Sequence, residues 1–193
     1  LVTQTVKTSK LFLRTLFPAS PTIVVVDNPV SGTNPTRVNY QVRVSDPATS
    51  TTNRILTVIS ADASTASAPA STAITSTGGT MEGAVIEDPA GVKVALFPVD
   101  GVDKATVIYN AVYTGTARHV ITGFTAGTYN VYKDAGLVTT AVTTSAGVLT
   151  FTAGAGTTFE VSAGSPPAPT IVLNPTSFTF TAGEGGSNPA TQA

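Results

Sequence analysis

The composition of this 193-residue chain excludes several classes of protein before any strand or helix is considered. Only 11% of the residues are charged, the formal net charge is -1 and cysteine is absent, which argues against nucleic-acid binding, a disulfide framework, thiolate metal sites and redox chemistry. Helix formers are scarce among many Thr, Val, Ala and Gly residues, while 41% hydrophobic content suffices for a core, so we expect an all-β protein.

The first quarter of the chain predicts three strands. A strand over residues 10–17 is expected to end at Pro18, because proline cannot donate a hydrogen bond to a sheet. Residues 22–26 form a continuous β-branched run, which is typical of a strand that is covered on both faces. In residues 38–45 apolar and polar side chains alternate, which predicts one buried face and one solvated face.

The next segments predict a central strand and a hairpin. Residues 54–60 are apolar at both odd and even positions, so we expect a strand in the middle of a sheet. Residues 62–76, rich in Ala, Ser, Thr and Pro, fit either a surface loop or a weak edge strand. Residues 83–87 and 92–97 flank Asp88-Pro-Ala-Gly91, which is a turn sequence between two strands of a hairpin.

Residues 104–161 predict an unbroken antiparallel meander, and they dominate the expected fold. Turns are indicated at residues 123–127, at residues 134–136 and at Gly147. Strands joined by such short turns are expected to pair with their neighbours, leaving no room for a crossover helix. We therefore predict that residues 1–164 form one all-β domain, a two-layer antiparallel β-sandwich, in which Tyr129 is a buried aromatic residue.

The character of the chain changes after Gly164. Residues 165–169 are a proline-rich linker of the kind that separates modules, and residues 170–193 form a C-terminal strand-forming tail. Two strands cannot bury a core alone, so this tail is either an incomplete immunoglobulin-like segment or a strand donated to another chain. The candidate inter-chain strand is Ser177, Phe178, Thr179, Phe180 and Thr181.

Residues 7–163 resemble the C-terminal β-sandwich region of secreted heparinase II/III-like proteins. The resemblance lies in Leu11-Phe-Leu-Arg-Thr-Leu-Phe-Pro18, Arg37-Val-Asn-Tyr-Gln-Val-Arg-Val44, Arg54-Ile-Leu-Thr-Val-Ile59, Thr122-Gly-Phe-Thr-Ala-Gly-Thr-Tyr-Asn-Val131 and Gly147-Val-Leu-Thr-Phe151. Members of that family carry an N-terminal α-helical toroid and cleave acidic polysaccharides by elimination. This chain has no such toroid, so the resemblance implies that the family's catalytic His and Tyr would lie in parts that precede it.

A second resemblance covers residues 169–193. Asn174-Pro-Thr-Ser-Phe-Thr-Phe180 and Gly185-Gly-Ser-Asn-Pro189 are similar to the start of a BACON-type or related immunoglobulin-like repeat. Such repeats are appended to bacterial carbohydrate-active and surface proteins, so both resemblances imply a modular bacterial protein that is secreted or held at the cell surface. We expect any signal peptide to lie outside the chain, which opens at Leu1, and no segment approaches the ~20 apolar residues of a membrane helix.

The side chains that carry out catalysis or bind metals are few. His119 is the only histidine, and no sequence motif links it to a nucleophile. Glu87-Asp88 and Asp100 with Asp103 are the close acid pairs, but both lie at predicted turns, and the second departs from a calcium-loop pattern. We therefore assign structural roles to these residues and predict no catalytic residue, no cofactor and no metal.

Tyrosines are the candidate glycan contacts, because the chain has no tryptophan. Tyr113 and Tyr132 would face outward if Val112 and Val131 face the core. The resulting hypothesis is a non-catalytic, structural module of an exported polysaccharide-lyase-like protein, with other domains of that protein and polysaccharide as partners. The alternative is a self-assembling surface, fibre or adhesin subunit whose C-terminal strand pairs with a neighbouring copy. In both cases we expect no nucleic-acid partner and no membrane span.

Overall fold

The computed structural model describes residues 1–6, 8–29, 38–48, 52–63 and 65–163, and within these ranges the chain forms fourteen strands and no helix. The strands are β1 (Val2–Val6), β2 (Ser9–Phe17), β3 (Thr22–Pro29), β4 (Val38–Ser45), β5 (Leu56–Ala63), β6 (Ala70–Thr75), β7 (Met81–Asp88), β8 (Gly91–Pro98), β9 (Thr106–Asn110), β10 (Thr116–Ile121), β11 (Thr128–Lys133), β12 (Gly136–Val142), β13 (Leu149–Gly154) and β14 (Thr158–Ala163). The described part of the chain accordingly contains no helix long and apolar enough to cross a membrane.

These strands form four sheets. The larger two have the strand orders β13-β10-β8-β7-β6 and β12-β11-β14-β9, and the smaller two have the orders β1-β2-β5 and β3-β4. Every pair is antiparallel except β8 and β10, which run parallel with Val94 opposite His119. The predicted all-β class is confirmed, and the expected antiparallel pairing holds for all of these pairs except β8 with β10.

One apolar core is shared by the five-stranded and four-stranded sheets. Alternation puts every second side chain on it, so that Ala117, His119 and Ile121 of β10 are buried while Arg118 between them is exposed. Phe159 belongs to β14 in the other sheet, and its ring centroid is 4.7 Å from that of His119. Burying a large apolar side chain contributes about 1.5–3 kcal/mol, so this core accounts for much of the folding free energy. Its largest fully buried members include Tyr109, Phe124, Phe159, Met81 and Leu96.

The predicted meander over residues 104–161 is wrong in its pairing. Of the strands in this region only β11 and β12 pair with their neighbours in sequence, whereas β9 pairs with β14 and β10 with β13. The chain passes back and forth between the two large sheets. A short turn keeps consecutive strands close in space, but it does not require them to share a sheet.

The turn at residues 123–127 is held by side chains on both sides of it. The Tyr129 hydroxyl donates to the Thr125 carbonyl at 3.1 Å, and the ring packs 4.7 Å from that of Phe124. The Thr143 hydroxyl accepts from the backbone N–H of Gly127 at 2.7 Å. Gly147 has φ 70°, and a Cβ there would lie 2.3 Å from the Phe124 carbonyl oxygen, so this position requires glycine. A tyrosine whose hydroxyl forms a hydrogen bond with the backbone a few residues upstream recurs in antiparallel β-folds, where it stabilises the turn.

The predicted hairpin over residues 83–97 is confirmed. Strands β7 and β8 are antiparallel with Asp88 opposite Gly91, which leaves a two-residue loop at positions 89 and 90. Of the two alternatives for residues 62–76, the edge strand is confirmed over Ala70–Thr75, because β6 forms one edge of the five-stranded sheet.

Two predictions for the first part of the chain are wrong. Residues 22–26 belong to β3, which pairs with β4 in a two-stranded sheet and leaves Val24 and Val25 about half exposed. Residues 56–60 belong to β5, an edge strand in which Ile59 is 63% exposed. A β-branched run favours a strand, but it does not say how many neighbours that strand has. The alternation predicted for β4 is confirmed over residues 41–45, where Val42 and Val44 are the more buried positions.

The predicted linker at residues 165–169, the tail at residues 170–193 and the candidate strand Ser177–Thr181 lie outside the described residues. The sequence predictions for them remain predictions.

Candidate functional site

His119, the one histidine, lies at the centre of the shared core and is fully buried. Its Nδ1 is 2.8 Å from the Tyr109 hydroxyl and its Nε2 is 2.9 Å from the Tyr113 hydroxyl. Phe151 stacks on the imidazole with 4.5 Å between ring centroids and 11° between the planes. His119 thus belongs to a Tyr109–His119–Tyr113 network that aromatic rings enclose, in keeping with the structural role expected for it.

The hydrogen bonds of this network fit one arrangement of protons. The Tyr113 hydroxyl donates to the Gly154 carbonyl at 3.1 Å, so its oxygen is left to accept the N–H of Nε2. Nδ1 is then unprotonated and accepts the Tyr109 hydroxyl proton. Each polar atom of the three side chains has a partner inside the protein, which removes the usual cost of burying polar groups.

Burial also determines the protonation states of the network. Desolvation lowers the pKa of His119 to about 4 and raises that of Tyr113 to about 12. The pKa of Tyr109 is raised well above its ordinary value, first by desolvation and then by the proximity of Tyr113. All three side chains are neutral near pH 7, and no face of the imidazole is open to a substrate. These properties fit a structural role in the core better than a role in general acid–base catalysis.

In each candidate acid pair one aspartate both caps a turn and forms an ion pair, and the other acid is exposed. Asp88 accepts the backbone N–H of Ala90 at 2.8 Å and pairs with Lys93 at 2.7 Å, and the hydrogen bond from Lys93 is the main reason that its pKa is lowered. Asp100 accepts the N–H of Val102 at 3.0 Å, and its hydrogen bond with Lys104 lowers its pKa. Their partners Glu87 and Asp103 are exposed.

Metal ligation has little basis in the described ranges. Nowhere in them do three or more His, Asp or Glu side chains cluster closely enough to hold a metal ion.

The two candidate glycan contacts lie in different environments. Tyr113 is 5% exposed while Val112 is 74% exposed, so the orientation expected at this position is reversed and Tyr113 is corrected to a core residue. The reason is its hydroxyl, which finds partners in the core that allow an amphipathic side chain to turn inward. Tyr132 is half-buried on the outer face of β11, next to the fully buried Val131, which is the orientation expected.

A groove that the sequence did not indicate lies where the segment before β5 meets β7 and β8. Arg54 forms a two-pronged ion pair with Glu82, with Nη2–Oε1 at 2.9 Å and Nε–Oε2 at 3.1 Å. This pair lines two cavities of about 310 and 290 Å³. Phe97 lines the first and Asp46 the second. We call the two cavities together the Arg54–Glu82 groove; its residues are too far apart in sequence to form a motif.

Searches of the protein-family models and of the curated proteins give no match to this chain.

Proposed function

We propose that this chain is a non-catalytic β-sandwich module of an exported bacterial polysaccharide-lyase-like protein, in which it packs against and positions other domains. The observation that carries the proposal is the enclosure of His119, the one histidine of the chain, within the Tyr109–His119–Tyr113 network. Histidine is the side chain that most often abstracts a proton near neutral pH, and in this chain it is buried in the core.

The two-layer arrangement is supported by the contacts between the large sheets. His119 of β10 and Phe159 of β14 belong to different sheets and are in ring contact. Alternate residues of β9 and β14 are buried, and those between them are exposed or half-buried, as expected for a sheet with one face on a core. Within the proposal the five-stranded and four-stranded sheets are the two layers, and the C-terminal tail extends from them.

The non-catalytic part of the proposal is supported by the described acids as well. Asp88 and Asp100 hold turns and bind lysines, and Asp134 accepts the backbone N–H groups of Thr157 and Thr158 at 3.1 and 2.9 Å. Acids in such positions maintain the backbone conformation. The polysaccharide context and the export of the parent protein come from the two sequence resemblances.

An elimination assay tests this proposal. The purified chain, incubated with heparan sulfate or alginate, is expected to form no unsaturated product by ultraviolet absorbance, whereas an active lyase run in parallel does. Product formation by the chain, abolished in a Glu82→Gln variant but retained in an Asp134→Asn variant, would show that it is itself an enzyme.

Self-assembly remains the second candidate, because the described sheets are open and have edge strands. Strand β12 forms one edge of the four-stranded sheet and exposes Leu137 and Val138. An apolar edge strand of this kind accepts an added strand from another chain. Sedimentation of the full chain and of a Phe178→Asp/Phe180→Asp variant tests this idea. Oligomers that dissociate in the variant would support assembly, and a monomer in both cases would exclude it.

A further inference from the structure

The Arg54–Glu82 groove combines an apolar surface with fixed polar groups. Phe97 is 44% exposed, although it lies on a strand that is interior to its sheet, and Ile55 beside the same cavity is about half exposed. Glu82 is directly opposite Phe97 in the pairing of β7 with β8, so the ring and the carboxylate lie side by side on one face. A ligand that fits this surface needs an apolar face and polar groups at its edge.

The ion pair is arranged to leave hydrogen-bonding capacity for such a ligand. Glu82 takes two of the five N–H donors of the Arg54 guanidinium, and the Arg54 side chain is 50% exposed. Two-pronged pairing holds the guanidinium plane in position, so its remaining donors point in fixed directions. The two cavities lie close to the lower limit of the ~300–1,000 Å³ range of ligand pockets, and they share the ion pair.

Sugars have the required combination, because a pyranose ring presents a face of C–H groups and a rim of hydroxyl groups. We propose that the Arg54–Glu82 groove binds a neutral oligosaccharide. One sugar ring stacks on Phe97, and hydroxyl groups of the saccharide form hydrogen bonds with Arg54 and Glu82. This inference goes beyond the proposed positioning role, because it gives the chain a ligand site of its own for a neutral saccharide.

The charge of the groove selects a neutral saccharide over an acidic one. Glu82 and Asp46 are negative and Arg54 is positive, so the lining carries more negative than positive charge. A uronate or sulfate group would face two carboxylates while its natural partner, Arg54, is already paired. A peptide that binds by strand addition is also disfavoured, because β7 and β8 are both interior strands without a free edge.

Calorimetric titration of the full chain with cellohexaose, xylohexaose and mannohexaose, and with hexagalacturonate as the acidic probe, tests the inference. We expect at least one neutral hexasaccharide to bind and hexagalacturonate to bind more weakly. Phe97→Ala is expected to weaken binding about tenfold, because it removes the stacking surface. Arg54→Lys is expected to weaken it as well, since lysine keeps the charge but not the planar donors.

Two controls separate the groove from other surfaces. Val112→Ala changes an exposed apolar residue that does not line the groove, so it is expected to leave affinity unchanged. Tyr132→Ala changes the candidate glycan contact of the other sheet, and its effect on affinity is expected to be smaller than that of Phe97→Ala. Absence of binding to every neutral probe, tighter binding of hexagalacturonate, or loss of binding in Tyr132→Ala but not in Phe97→Ala would overturn the inference. None of these results would make the chain a lyase, so the proposed non-catalytic role is tested separately.

Discussion

Replacing Tyr129 by alanine is expected to lower the free energy of unfolding by about 3–5 kcal/mol. Tyr129 is 3% exposed, packs against Phe124 and fastens the turn through its hydrogen bond to the Thr125 carbonyl. The substitution leaves a cavity and frees the turn at residues 123–127 at the same time. Urea denaturation of the variant and of the parent chain, followed by tyrosine fluorescence or circular dichroism, measures the difference.

The matched control for this prediction is Tyr132→Ala, three positions along the same strand. Tyr132 is on the outer face and only half-buried, so its loss is expected to cost about 1 kcal/mol. A third variant, Tyr129→Phe, keeps the ring and removes only the hydroxyl, and should cost about 1 kcal/mol. Equal destabilisation by the alanine substitutions at 129 and 132 would contradict the placement of Tyr129 in the core.

Acidification is expected to destabilise the protein by about 3 kcal/mol between pH 6.5 and pH 4, through His119 alone. Burial lowers the pKa of His119 from 6.5 to about 4 in the folded state, so in this interval the unfolded chain binds a proton that the folded chain does not. The stabilising contribution is fully present above pH 6.5 and is lost as the pH falls toward 4. A difference of one pKa unit is worth about 1.4 kcal/mol, which gives the expected size.

The comparison with His119→Gln isolates this effect. Glutamine keeps one donor and one acceptor for the tyrosine hydroxyls but does not titrate, so the variant should be less stable at pH 7 and show little pH dependence between 6.5 and 4. The lowered pKa values of Asp88, Asp100 and Asp134 make stability fall mainly as the pH drops through and below their ordinary value of 3.8, whereas the His119 contribution is lost between pH 6.5 and 4. Parallel stability curves for the parent chain and the variant would show that His119 is not the cause.

The candidate site shows which side-chain contacts can be predicted from neighbouring residues and which cannot. Asp88 and Asp100 cap turns, as the sequence predicts, because a carboxylate that caps a nearby backbone N–H acts within a few residues of the chain. The orientation predicted for Tyr113 is wrong because this residue lies in the loop between β9 and β10, where strand alternation no longer applies and the hydroxyl turns inward to His119. The Arg54–Glu82 groove was not predicted because its ion pair joins residues that are 28 positions apart in the sequence.

The sequence by itself determined that this protein is built of strands, where most of its turns occur and that β7 and β8 form a hairpin. These properties depend on β-branched residues, glycine, proline and aspartate acting on the backbone within a few positions. Only the tertiary structure decided which strands pair, which tyrosine faces the core and which distant residues form a groove. Strand pairing is a long-range choice: a short turn keeps two strands near each other, but the burial of their apolar faces on a common core decides which sheet each one joins.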